Sequence, residues 1–218
     1  MIEVILSGFL FWFIIITNLA SDRFGYKTFS DLDSNAKLQK IGNNPKKFKI
    51  SIVLILIEHV SIISLAITLF IAFSPYNIIL AVVWTIFRIG EGLIQIYNKK
   101  NYWGLLNIAR QYSGTSGAKK NALIDLGGNI LKTKNSIFTF AQILFSIGTL
   151  AYSILFVTYG VVAPIIGWFG IVASILYGFG NGIILVKPNK ALQILPLGLL
   201  ILLFEIVLGG WLLFSPLI

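Results

Sequence analysis

The sequence contains no cysteine and a single histidine. The first absence excludes disulfides, thiolate nucleophiles and Cys-ligated zinc or iron–sulfur centres. The second leaves too few imidazoles for the usual catalytic zinc sites, which take two or three. Charge is scarce as well: Asp, Glu, Lys and Arg together make up 11% of the 218 residues, against about 25% in a soluble domain. So few ionic groups cannot coat a water-soluble globule, and the disordered and collagen-like classes fall with it. What the chain has in quantity is apolar length: 57% hydrophobic residues and a mean hydropathy of +0.89.

A helix that crosses a bilayer needs about 20 mostly apolar residues, because its backbone groups must pair internally where water is absent. Six segments qualify: Ile2–Ala20, Ile50–Phe73, Ile78–Asn98, Ile137–Tyr159, Ile165–Val186 and Leu192–Phe214. The longest connections, Ser21–Lys49 and Lys99–Ser136, leave no room for a separate soluble domain. The pattern predicts an all-α, polytopic membrane protein, one integral domain over residues 1–218, with six transmembrane helices and short amphipathic cytoplasmic helices.

Loop charge orients the bundle. The first loop holds Arg23, Lys27, Lys37, Lys40, Lys46, Lys47 and Lys49. The third holds Lys99, Lys100, Arg110, Lys119, Lys120, Lys132 and Lys134, and the fifth holds Lys187 and Lys190. Of all Lys and Arg only Arg88 lies elsewhere, and the opposite side carries none. Basic loops stay cytoplasmic, so both termini are expected on the outer side of the cytoplasmic membrane. The first segment begins with Glu3 and is followed, not preceded, by basic residues, which suits an uncleaved helix better than a signal peptide. Tyr97, Tyr102 and Trp103 fall at the expected inner boundary and Tyr76, Tyr159, Trp168 and Trp211 near the outer one, where amphipathic rings are favoured.

In the third loop Leu105, Ile108, Ala109 and Tyr112 recur at helical spacing, as do Leu123, Leu126 and Ile130. Basic amphipathic helices of this kind lie on a membrane and attract anionic lipid headgroups, or simply close off a bundle. Between them Ser113-Gly114-Thr115-Ser116-Gly117 lacks the spacing and the strand of a phosphate-cradling loop and reads as a turn. Ser116 sits in a charged loop with His59 upstream of it, which excludes a rhomboid-type serine protease site. On the fifth span Gly170, Ser174, Gly178 and Gly182 recur every fourth residue, a small-residue face that lets helix backbones approach. That face places the helix near the bundle centre, or at a homo-oligomer interface.

Ionisable residues inside a span each cost about 2.5–3.5 kcal/mol at mid-bilayer on insertion scales. This chain has Glu58, His59, Arg88, Glu91 and Glu205 there. Trp84, Arg88, Glu91 and Gln95 share one helical face, and Arg88 and Glu91, three apart, can pair directly. Glu58 reaches a similar depth from the preceding helix, and Asn181 adds a polar group nearer the cytoplasm. The candidate ligand-binding residues are therefore Glu58, His59, Arg88, Glu91, Gln95 and Glu205. Structurally, such a network fixes helix register around a guanidinium that carboxylates can grip bidentately. Functionally, three carboxylates facing one Arg leave negative charge over, and such a group can bind a cation, relay a proton or act as acid and base. His59 can ligate haem only with a second His from another subunit, so no cofactor and no metal are expected.

The run Phe87-Arg88-Ile89-Gly90-Glu91-Gly92 after an apolar stretch resembles the Arg-x-x-Glu motif of an uncharacterised membrane family, domain of unknown function 4386. The likeness extends over most of the chain, to a later helix hairpin turning at a Pro, here Pro164 before Ile165-Ile166-Gly167-Trp168. The chain departs from the family in lacking a basic residue beside that Pro and in a more polar third loop. The resemblance implies six helices and an Arg88–Glu91 pair, and it supplies no activity. The expected function is binding or passage of a small solute, ion or lipid headgroup at a buried, cytoplasm-facing polar pocket. A membrane-embedded enzyme with a Glu general base, and a structural subunit of a membrane complex, stand as alternatives. The expected partners are the bilayer and its anionic headgroups, with no nucleic acid.

Overall fold

A computed structural model describes residues 2–25, 33–188 and 196–215. Among them there are seven helices and no strand: α1 (Ile2–Arg23), α2 (Ser34–Asn43), α3 (Pro45–Phe73), α4 (Ile78–Tyr112), α5 (Gly117–Thr158), α6 (Pro164–Val186) and α7 (Leu197–Phe214). All but α2 are long and apolar enough to cross a membrane. The start expected for the last span, Leu192, lies outside the described residues.

Local chemistry sets the helix ends. The side chain of Asp33 accepts from Ala36 N at 3.0 Å, that of Asn44 from Lys47 N at 3.2 Å and that of Asn77 from Leu80 N at 3.1 Å, each filling a donor the first helical turn cannot. Pro45 and Pro164 open α3 and α6, where a missing N–H costs nothing. Gly160, at φ +62°, ends α5 and lets Val161 N bond Phe156 O at 3.1 Å. Gly117, also at φ +62°, closes the turn Ser113–Ser116 between α4 and α5.

The third loop differs from expectation in one respect. Its amphipathic segments are helical, but as uninterrupted extensions of the spans. At about 1.5 Å per residue the 35 residues of α4 run about 50 Å and the 42 of α5 about 60 Å. Both exceed a hydrocarbon core of about 30 Å. The polar residues after Asn98 end the apolar run without breaking the backbone, because α4 contains no Pro and intrahelical bonding does not need apolar side chains.

The chain divides into two compact units, with the boundaries inside α1, α3, α4 and α5. The first comprises Met1–Ile15, His59–Leu93 and Thr139–Ile218. Its core is mostly aliphatic with an aromatic group inside it: Tyr152 packs against Phe11, Phe156 and Phe204, and Phe73 meets Phe156 edge-on at 5.1 Å. The small-residue face of α6 is used unevenly. A Cβ on Gly170 would lie 2.3 Å from Ser153 Oγ and 2.5 Å from the Phe204 ring, whereas one on Gly182 would meet nothing within 4 Å. The second unit comprises Ile16–Glu58 and Ile94–Phe138. There α2 supplies Leu38 and Ile41 to a core with Ile52, Tyr102, Leu105, Ala109 and Leu131.

Candidate functional site

In the first unit, residue 88 of α4 places a guanidinium that is 1% exposed among acidic and aromatic groups. Arg88 Nη1 lies 2.9 Å from Glu91 Oε2, one turn further along the same helix. Glu205 comes from α7 and brings Oε1 to 3.8 Å from Arg88 Nη2. The Phe145 ring of α5 lies beneath, its centroid 4.4 Å from Arg88 Cζ, a stacking that guanidinium accepts readily. Space for this side chain comes from Gly148 on α5: a Cβ there would sit 2.8 Å from Arg88 Cγ and 3.1 Å from Cδ.

The cluster is not saturated. Arg88 Nε has no hydrogen-bond acceptor among the described residues, nor does the indole Nε1 of fully buried Trp84, one turn earlier on the same face. Each such buried donor costs about 1–3 kcal/mol if left unmet. The acidic side is in surplus, with Glu91 and Glu205 facing one guanidinium. Further along the same unit Tyr177 OH donates to Gln142 Oε1 at 3.0 Å and Asn181 Nδ2 donates to Tyr177 O at 2.9 Å.

The six candidate residues separate as follows. Arg88, Glu91 and Glu205 come together. His59 is buried in the same unit on α3, where its carbonyl lies 3.3 Å from the place a Cβ on Gly92 would take. Glu58 and Gln95 are buried in the second unit. There Asn18 Nδ2 donates to both carboxylate oxygens of Glu58, at 3.1 and 3.2 Å.

A family model described as a domain of unknown function (DUF4386) matches residues 6–215. The chain belongs to the DUF4386 family. No curated protein and no solved structure matches it. The matched range of this DUF4386 protein starts within α1, takes in the other six helices and includes Arg88 and Glu91, whose two side chains do meet. Two residues around Arg88 in this DUF4386 chain, and in the other unit the partner of Glu58, have little or no signal in the sequence. Phe145 and Gly148 look like ordinary members of an apolar span, and only their proximity to residue 88 gives them a role. Asn18 lies at the polar end of α1, and that position was its only signal.

Proposed function

We propose that this DUF4386 protein is a multi-pass protein of the cytoplasmic membrane, both termini outward, in which the Arg88–Glu91–Glu205 cluster binds a small polar solute, ion or lipid headgroup. The observation that carries this reading is the pair of buried donors, Arg88 Nε and Trp84 Nε1, left without acceptors on one face of α4. A structural ion pair needs no such surplus. A ligand that offers acceptor oxygens to Arg88 and Trp84, and a cationic or hydrogen-bonding group to Glu205, satisfies both sides of the cluster at once. Gln142, Tyr177 and Asn181 support access from the cytoplasmic side, and the basic loops support the orientation and contact with anionic headgroups. Burial in a span also makes this an intramembrane salt bridge, in which guanidinium and carboxylates offset each other's desolvation.

The scaffold reading has one observation of its own: Phe145 and the two carboxylates already surround much of the guanidinium. Density from the full-length protein in lipid nanodiscs separates the two. A binding site predicts ordered non-protein density within hydrogen-bond reach of Arg88 Nε and Trp84 Nε1, lost in Arg88→Leu/Glu91→Leu. Side chains closing over both donors, with no density there, would leave only the scaffold.

A further inference from the structure

Trp12 stands near the middle of α1, whereas Trp in a span favours the membrane boundaries, where its N–H meets water. At mid-depth an indole N–H has to find its acceptor within the protein. Trp12 Nε1 finds one on α7, donating to the main-chain oxygen of Ile206 at 3.2 Å. The carbonyl of a helical residue points toward the N–H four residues ahead, between the side chains three and four further on. For Ile206 those positions are Gly209 and Gly210, which leave the second lone pair of the oxygen uncovered.

The indole lies across both glycines. A Cβ on Gly209 would sit 2.6 Å from Trp12 Cδ1 and 2.9 Å from its Nε1, and one on Gly210 would sit 3.7 Å from Cζ2. One turn earlier on α1, a Cβ on Gly8 would fall 2.8 Å from Gly209 O, so the two helices touch through their backbones. This contact flanks the acidic residue of α7: Ile206 follows Glu205 directly, and Gly209 lies one turn beyond it on the same face. On the other flank Phe204 enters a second seat, where a Cβ on Gly170 of α6 would lie 2.5 Å from its Cζ and the Tyr152 ring of α5 stacks on it at 6.2 Å.

Glu205 brings Oε1 to 3.8 Å from Arg88 Nη2, whereas the Arg88–Glu91 contact is 2.9 Å. Glu91 reaches Arg88 by spacing on one helix and needs no outside support. The reach of Glu205 depends on how α7 is turned. A side chain about 6 Å from a helix axis shifts by about 2 Å when the helix turns by about 20°, which would carry Glu205 out of ion-pair range. We propose that Trp12 is a positioning residue of the Arg88 site: its hydrogen bond to Ile206 O fixes the rotation of α7 that presents Glu205 to Arg88. Any consequence for a ligand rests on the reading of that cluster as a binding site; the positioning does not.

The test measures the Arg88–Glu205 contact in the full-length protein in lipid nanodiscs, by solid-state NMR of isotope-labelled arginine nitrogens and glutamate carboxyl carbons. Arg88→Leu identifies the Arg88 signal, and Glu205→Gln identifies the part of its dipolar coupling that comes from Glu205. Trp12→Phe keeps a ring at a partly exposed position and removes the N–H. It is expected to lose the Glu205 coupling and keep that of Glu91, a split that a general loosening of the helices would not produce. Gly209→Ala, which drives the indole off Ile206 O, is expected to give the same split. A Glu205 coupling unchanged in Trp12→Phe, or lost there together with that of Glu91, would overturn the proposal. Failure here is distinct from failure of the binding reading, because the couplings are read whether or not the protein retains a ligand.

Discussion

Arg88 meets Glu91 because three residues along a helix bring side chains to the same side, and it meets Glu205 because α7 delivers a carboxylate to the same buried spot. Removing one member of such a group leaves the rest charged and unmatched. Arg88→Leu and Glu91→Leu are each expected to cost about 3–5 kcal/mol, the usual penalty for breaking a buried pair. The double variant is expected to recover much of that loss, so the two effects fall well short of additivity in thermal or denaturant unfolding. Additive losses would mean that the two side chains do not support each other. The Arg88–Glu91 contact was legible in the sequence, since it follows from spacing on one helix. Its third member was legible only as an ionisable residue in a span, because no periodicity links position 205 to position 88.

Helices pack here through a few positions where bulk is excluded. Gly148 on α5 leaves room for the Arg88 stem, while Gly182 on α6 faces open space although it lies on the four-residue repeat that predicts close packing. Gly148→Ala therefore forces Cγ of Arg88 aside and is expected to destabilise the protein by about 1–3 kcal/mol, the range for overpacking. Gly182→Ala meets nothing and is expected to be neutral or to stabilise by up to about 1 kcal/mol through helix propensity. Equal effects in unfolding would contradict this packing. Spans were readable from apolar length, but helix ends were not, since α4 and α5 continue through polar sequence. The apolar stripe at the start of α5 divides, with Leu123 and Ile130 packed against the core. Leu126 is 48% exposed, whereas Gly127, Leu131 and Lys134 face inward, because Leu38 of α2 docks where a Gly127 side chain would be. A docking helix from elsewhere in the chain leaves no mark in the local pattern.

At the scale of the molecule, a chain poor in charge keeps much of its ionic chemistry at two buried places and the rest in basic loops. In the first unit two carboxylates face one guanidinium, and two donors on α4 have no acceptor among the described residues; the proposed binding role rests on these features. Native mass spectrometry of the protein released gently from its own membrane asks this directly. The account predicts a retained small molecule or headgroup on the wild-type protein, lost from the folded Arg88→Leu/Glu91→Leu variant. A wild-type protein that carries nothing beyond bulk lipid, or a double variant that carries the same added mass, would contradict it.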